Sequence, residues 1–291
     1  MPKQSQGPAQ GQQPGQWIQP DQQSTQVEVP AHALERLRGM RGEGGKRGLF
    51  TSDLSVNEFL LVKEAGFDPV GMVVGSSIYH IGYQQSYFNV SQELQVLSQA
   101  MYTARELAMA RMEAEADTLS ADGVVGVRLD VGRYEWGADL AEFIAIGTAV
   151  RSRDGTSHRT RFGKPFTSDL SGQDFRTLLQ AGYRPLGLVM GSCVYHVAHQ
   201  GLNQWFKTVG RNAEMQNFTQ ALYDARELAM ERMQAEAVNL ESEGIVGAQI
   251  KETNHGWDSH IIEFFAVGTA VAPIRADHQI APPQMVLTLN G

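Results

Sequence analysis

The chain repeats itself, and this limits its fold more than any other feature. Thr51-Ser52-Asp53-Leu54-Ser55 recurs unchanged as Thr167-Ser168-Asp169-Leu170-Ser171, 116 residues on. Gly75, Ser76, Tyr79 and His80 recur at the same offset as Gly191, Ser192, Tyr195 and His196. Further along, Ala104-Arg105-Glu106-Leu107-Ala108-Met109 returns as Ala225-Arg226-Glu227-Leu228-Ala229-Met230, now 121 residues on. Gly147-Thr148-Ala149-Val150 returns as Gly268-Thr269-Ala270-Val271 at that larger offset. The second copy has therefore gained 121 − 116 = 5 residues ahead of its helix, around Trp205 to Asn212. Two homologous domains in tandem follow.

Two copies allow each structural reading to be tested twice. Leu94, Leu97, Met101, Ala104, Ala108, Met112, Ala116 and Leu119 step by three or four, an apolar helical stripe. Their counterparts from Met215 to Leu240 are all apolar. Val125, Val127, Leu129 and Val131 alternate with polar or small residues, as Val246, Ala248 and Ile250 do in the second copy; that is a half-buried strand. Phe143 to Val150 and Phe264 to Val271 do not alternate, so these strands are covered on both faces. One helix covers one face; the other must meet the second repeat or another subunit. Val70 to Ile81 and Leu186 to Val197 supply a strand ahead of each long helix, and Ser55 and Ser171 have the character of N-caps for short helices closed by Gly66 and Gly182. The fold class is α+β: tandem two-layer β-α-β-β domains, each an antiparallel sheet packed by one long helix.

Residues 1–47 form a Gln/Pro/Gly-rich head too polar to offset its ordering entropy, apart from one short helical pattern at Pro30 to Arg38. The first repeat spans 48–150, a basic linker 151–164, the second repeat 165–272 and a tail 273–291. The head is expected to be a flexible tether for another protein. A formal net charge of −8 argues against a nucleic-acid-binding body. Arg36, Arg38, Arg41, Lys46 and Arg47, and Arg151, Arg153, Arg159, Arg161 and Lys164, make two locally basic stretches, but with Phe162 as the one aromatic among them no series interleaves them for base stacking. They read as solvated linkers. A single cysteine excludes an internal disulfide. No apolar leader opens the sequence, and Ile261 to Ile274, about 14 residues containing Glu263, is too short to span a bilayer. A cytoplasmic location is expected.

Gly187-Leu188-Val189-Met190-Gly191-Ser192 with Val194 and Tyr195, the Ala225 to Ala237 helix, Gly244-Ile245-Val246-Gly247 and Gly268-Thr269-Ala270-Val271 together resemble the YbjQ-like bacterial family, which carries the label "putative heavy-metal-binding domain". The resemblance covers about 70–150 and 186–271. It implies a dodecin-like β-α-β-β fold and a ring-shaped homo-oligomer, and no particular reaction. The tandem arrangement, the Thr-Ser-Asp-Leu-Ser lead-ins and the head depart from the usual form.

The label directs attention to Cys193, His196 and His199, with His80 at the position matching His196. Thiolate and imidazole suit a divalent heavy metal. On a straight strand, however, His196 faces away from Cys193 and His199, and those two lie about 20 Å apart. In the first repeat Ser77 and Tyr83 replace Cys193 and His199. A buried Cys193 and partly exposed histidines form the plainer reading. Copies of His80 or His196 meeting around a ring axis form the other.

Arg105 and Arg226 flank the helical stripe, and Glu142 and Glu263 begin the doubly covered strands. Charges so placed must pair, because a lone buried charge costs several kcal/mol. Arg–Glu pairing is read as a fold or interface device, and Arg111 with Glu115, and Arg232 with Glu236, as helix-surface pairs at i, i+4. No HExxH, GxSxG, P-loop or CxxC string occurs. The leading expectation is a non-enzymatic, oligomer-forming protein with any small ligand or metal held at interfaces. The alternative is a metal binder or sensor using the His and Cys residues.

Overall fold

The structure, a computed structural model, describes residues 27–45, 47–80, 91–133, 140–197, 216–254 and 261–280. Its helices are α1 (Ala31–Met40), α2 (Val56–Glu64), α3 (Gln95–Thr118), α4 (Gly172–Gln180) and α5 (Gln216–Asn239). Its strands are β1 (Phe67–His80), β2 (Gln92–Glu93), β3 (Gly123–Arg133), β4 (Leu140–Ser152), β5 (Phe166–Thr167), β6 (Tyr183–His196), β7 (Gly244–Asn254) and β8 (Ile261–Pro273). Short helix, strand, long helix, strand, strand thus occurs twice, as the repeat requires. None of these helices is long and apolar enough to cross a membrane.

Ser55 starts α2 with a reciprocal capping box: its hydroxyl accepts from the Glu58 amide, and the Glu58 carboxylate accepts from the Ser55 amide. Ser171 caps α4 through the Asp174 amide. Gly66 and Gly182, at φ +92° and +87°, then turn the chain directly into β1 and β6. Both strands begin at an aromatic residue, Phe67 or Tyr183, three positions ahead of the expected apolar run.

The first sheet has the order β1-β4-β3-β5 and the second β2-β6-β8-β7. All pairings are antiparallel except β3 with β5. Each sheet borrows one short edge strand from the other repeat: β5 leads into the second repeat but pairs on β3, while β2 belongs to the first and pairs on β6. The long helices lie directly on the first strand of their own sheet. A Cβ on Gly75 would stand 2.0 Å from the Ala108 carbonyl, and one on Gly191 2.0 Å from that of Ala229, so a side chain here would push each helix off its sheet.

The layers run first sheet, α3, second sheet, α5. One side of α3 packs on Val73, Phe143 and Ala145, and its other flank meets Met190, Val194, Phe265 and Val267 of the second sheet in the same core. Helix α5 covers the opposite face of that sheet, over Val189, Cys193, Phe264 and Ala266. β8 is therefore covered on both faces, while Ile144 and Ile146 of β4 keep an outer face only half-buried.

The linkers do more than span solvent. Neither α3 nor α5 has a basic residue in its last turn, where the unpaired carbonyls favour cations. Arg41 donates to the Thr118 carbonyl (3.1 Å), Arg151 to those of Leu119 and Ser120, Arg159 to Ala121 (2.7 Å) and Arg161 to Asn239 (2.5 Å). The expected solvated basic stretches are in these positions helix caps delivered from a distance. Lys46 lies outside the described residues.

Candidate functional site

The seam between the repeats concentrates the buried polar groups. Arg105, projecting from α3 toward the second sheet, donates to both carboxylate oxygens of Glu263 on β8, at 2.6 and 3.2 Å. The Ser192 hydroxyl donates to the same carboxylate at 2.7 Å, and the guanidinium lies over the Phe265 ring, 4.0 Å from its centre. A two-pronged, stacked and fully desolvated arginine is geometrically exacting.

The structure corrects the expectation that Arg111 with Glu115, and Arg232 with Glu236, are surface pairs at i, i+4. Arg232 reaches Glu93 of the first repeat (2.7 Å) and the Ser192 carbonyl (2.6 Å). Glu236 accepts from the Met190 amide at 2.7 Å and from the Tyr102 hydroxyl of the other repeat. Glu115 accepts from the Val74 amide at 2.8 Å and from Arg36 of α1 at 2.5 Å, while Arg111 donates to the Ser76 carbonyl. All four turn off the helix surface onto the outer edge of β1, or onto the stretch of β6 that β2 leaves uncovered, whose backbone groups would otherwise lack partners. The signal missed was that both copies keep Arg and Glu beside the apolar stripe itself.

The seam is closed from the other direction by the second lead-in. Phe166 to Leu170 bonds to β3 of the first repeat through Phe166 N–Asp122 O, Ser168 N–Val124 O, Val127 N–Ser168 O and Gly126 N–Leu170 O, all at 2.9–3.1 Å. Its Ser168 and Asp169 side chains bond Thr269 of the second sheet. Ser52 and Asp53 hold Thr148 in the same way.

Equivalent positions differ sharply in burial. Val194, Tyr102 and Phe166, which form the seam, are 0%, 3% and 2% exposed; their counterparts Ile78, Tyr223 and Phe50 are 57%, 55% and 46% exposed. Among the described residues Arg226 meets Glu252 at 3.6 Å and lies near the Tyr223 and Phe264 rings, and Glu142 stands half-buried on the outer face of β4.

The candidate metal ligands are not brought together. Cys193 is buried under α5, and desolvation pushes its thiol up to about 12, which disfavours the thiolate a metal needs. His196, expected to be partly exposed, is buried at the end of β6 opposite Gln92, whereas His80 is exposed. His199 lies outside the described residues. Among the described residues no three His, Cys, Asp or Glu side chains are grouped to hold a metal ion. Within one chain the described donors, Cys193, His196 and His80, do not fit one.

A cavity of about 180 Å³ opens between α3, the second linker, β6 and α5, with Glu106, Glu113, Glu236 and Lys164 among its walls. Burial pushes the carboxyls of Glu106 and Glu113 up to about 7, against a partial pull downward from Lys164.

A family model described as "Putative heavy-metal-binding" (YbjQ) matches residues 70–153 and 181–273. The chain belongs to the YbjQ family. "Encapsulin nanocompartment protein Rv1762c" of Mycobacterium tuberculosis is 49% identical over 235 residues, which cover 80% of this chain and 89% of that protein. A UPF0145 protein of Clostridium novyi is 34% identical over 99 residues, 32% of this chain and 92% of its own length, so it corresponds to one repeat. A UPF0145 protein of Natronomonas pharaonis is 46% identical over 61 residues, 21% of this chain and 57% of its own. YbjQ domains thus occur singly and, as here, fused in pairs.

Proposed function

We propose that this chain is a non-enzymatic assembly protein of the cytoplasm, building a closed homo-oligomer by repeating between copies the seam its two domains make within one. The contrast in burial between equivalent positions carries the reading: the second sheet's outer face is roofed by α3, and the same face of the first sheet has no roof among the described residues. Helix α5 of one copy supplies it. Arg226 of that copy pairs with Glu142 of the next, Tyr223 approaches Glu115, and Phe50 to Leu54 of the next copy lies along β7 as Phe166 to Leu170 lies along β3. A head-to-tail contact of this kind forms a ring when its rotation closes. The name of the Mycobacterium tuberculosis relative suggests the setting, an encapsulin-type protein compartment.

Native mass spectrometry of the purified chain tests this. Wild type gives one discrete multimer, Arg226→Glu and Glu142→Arg each give folded monomer, and the double variant recovers the multimer. A monomeric wild type, or a multimer untouched by either single change, overturns the reading.

A further inference from the structure

The two repeats share a groove that, among the described residues, a short helix fills in the first only. In the first repeat α1 lies in it: Leu37 is buried there, and a Cβ on Gly71 would stand 2.8 Å from the Met40 sulfur. Beside Leu37 the partly exposed Arg36 guanidinium donates to the Met72 carbonyl at 3.0 Å and to the Glu115 carboxylate at 2.5 Å. The repeat offsets carry Gly71, Met72, Glu115 and Leu119 onto Gly187, Leu188, Glu236 and Leu240. All four line the seam cavity, which no helix among the described residues fills, although the Tyr102 hydroxyl of α3 donates to Glu236 at its edge. A Cβ on Gly187 would meet only Leu240, at 3.0 Å.

The opposite wall deepens the likeness to a cation site. Glu106 and Glu113 lie two turns apart on α3, with Lys164 as the only basic side chain among the lining residues. Three carboxyl groups thus face one ammonium. Leu107, Leu186, Leu188 and Phe162 supply apolar walls between them. Cation, apolar stem and backbone carbonyl together describe an alkylguanidinium, and the volume suits a small molecule rather than a helix.

We propose that the seam cavity binds a small guanidinium compound, gripped by Glu236 and the Leu188 carbonyl as Arg36 is gripped by Glu115 and the Met72 carbonyl. The apolar stem lies against Leu107 and Leu188, and Glu106 compensates the remaining charge. The site lies wholly within one chain, so occupancy per chain is read whether or not copies assemble, and its failure is distinct from failure of the ring.

Isothermal titration calorimetry of the full chain with butylguanidinium, and with neutral butylurea as the shape control, tests the site. Saturable binding at one equivalent per chain is expected for butylguanidinium and none for butylurea. Glu106→Gln, which leaves the seam contacts intact, weakens binding about tenfold, the worth of one charge-assisted contact. Arg36→Ala removes the guanidinium from the first groove and leaves its place beside Glu115 open, so a second equivalent binds there. Absence of saturable heat, equal binding of butylurea, or undiminished binding in Glu106→Gln overturns the proposal. Arg36→Ala binding no second equivalent overturns the equivalence of the grooves on which it rests.

Discussion

Arg105 and Glu263 form a two-pronged ion pair with neither partner open to solvent, and they belong to different repeats. Such a pair adds little over a well-packed apolar substitute, but its geometry admits one relative placement of the two domains. Removing one partner strands a charge. Glu263→Ala is expected to cost about 3–5 kcal/mol by urea unfolding, and Arg105→Met with Glu263→Leu to recover most of it. A loss below about 1 kcal/mol, the range of exposed pairs, would show the pair to be solvated.

Ile146 and Val267 occupy the same position in the two repeats, one half-buried on the free face and one in the seam. Ile146→Arg should leave the far-ultraviolet circular dichroism spectrum unchanged and yield a smaller particle in sedimentation velocity. Val267→Arg should unfold or aggregate the chain. Equal behaviour of the two variants would mean that the faces are not differently covered.

The stability that the Glu106 and Glu113 carboxyls contribute should fall as pH rises from about 4 to 7. Glu106 and Glu113 titrate near 7 when folded but near the ordinary value of about 4.3 when unfolded. Between those values the folded state holds protons that the unfolded chain has released, so raising pH favours unfolding. Lys164, Asp117, Glu236 and Tyr102 are the other titratable groups around them. At fixed protein concentration, the melting temperature of wild type minus that of a Glu106→Gln, Glu113→Gln variant should decline across this range. A flat difference would place both carboxyls in water.

Cys193 should react with iodoacetamide only after denaturation, given its burial and its raised thiol. EDTA should leave the native melting temperature unchanged. Rapid native labelling, or a fall in melting temperature restored by zinc, would return Cys193 to the list of ligands.

Much of this fold is legible in the sequence because local periodicity encodes it. The stripe from Leu94 to Leu119 is buried along its whole length, and the unalternating run from Phe264 to Val271 is covered on both faces. The interface reading of Arg105 and Glu263 was available from their positions beside apolar runs. Which repeat's arginine meets which glutamate was not, because periodicity within an element says nothing about what lies across from it. Arg111, Glu115, Arg232 and Glu236 misled for a related reason: i, i+4 spacing places charges side by side, but long side chains choose an unpaired strand edge over one another when it is in reach. The arginines of 151–164 read as linker because a helix end buried elsewhere in the chain leaves no local trace.

Joining two domains through a seam this specific has an arithmetical consequence. Any ring built from whole copies of the chain holds an even number of domains, alternating strictly between first and second kinds. A single-domain relative is free to close on an odd number; this chain has given that up. In exchange its two kinds of junction, one covalently linked and one not, can diverge independently, so that a ligand groove kept at one need not be kept at the other.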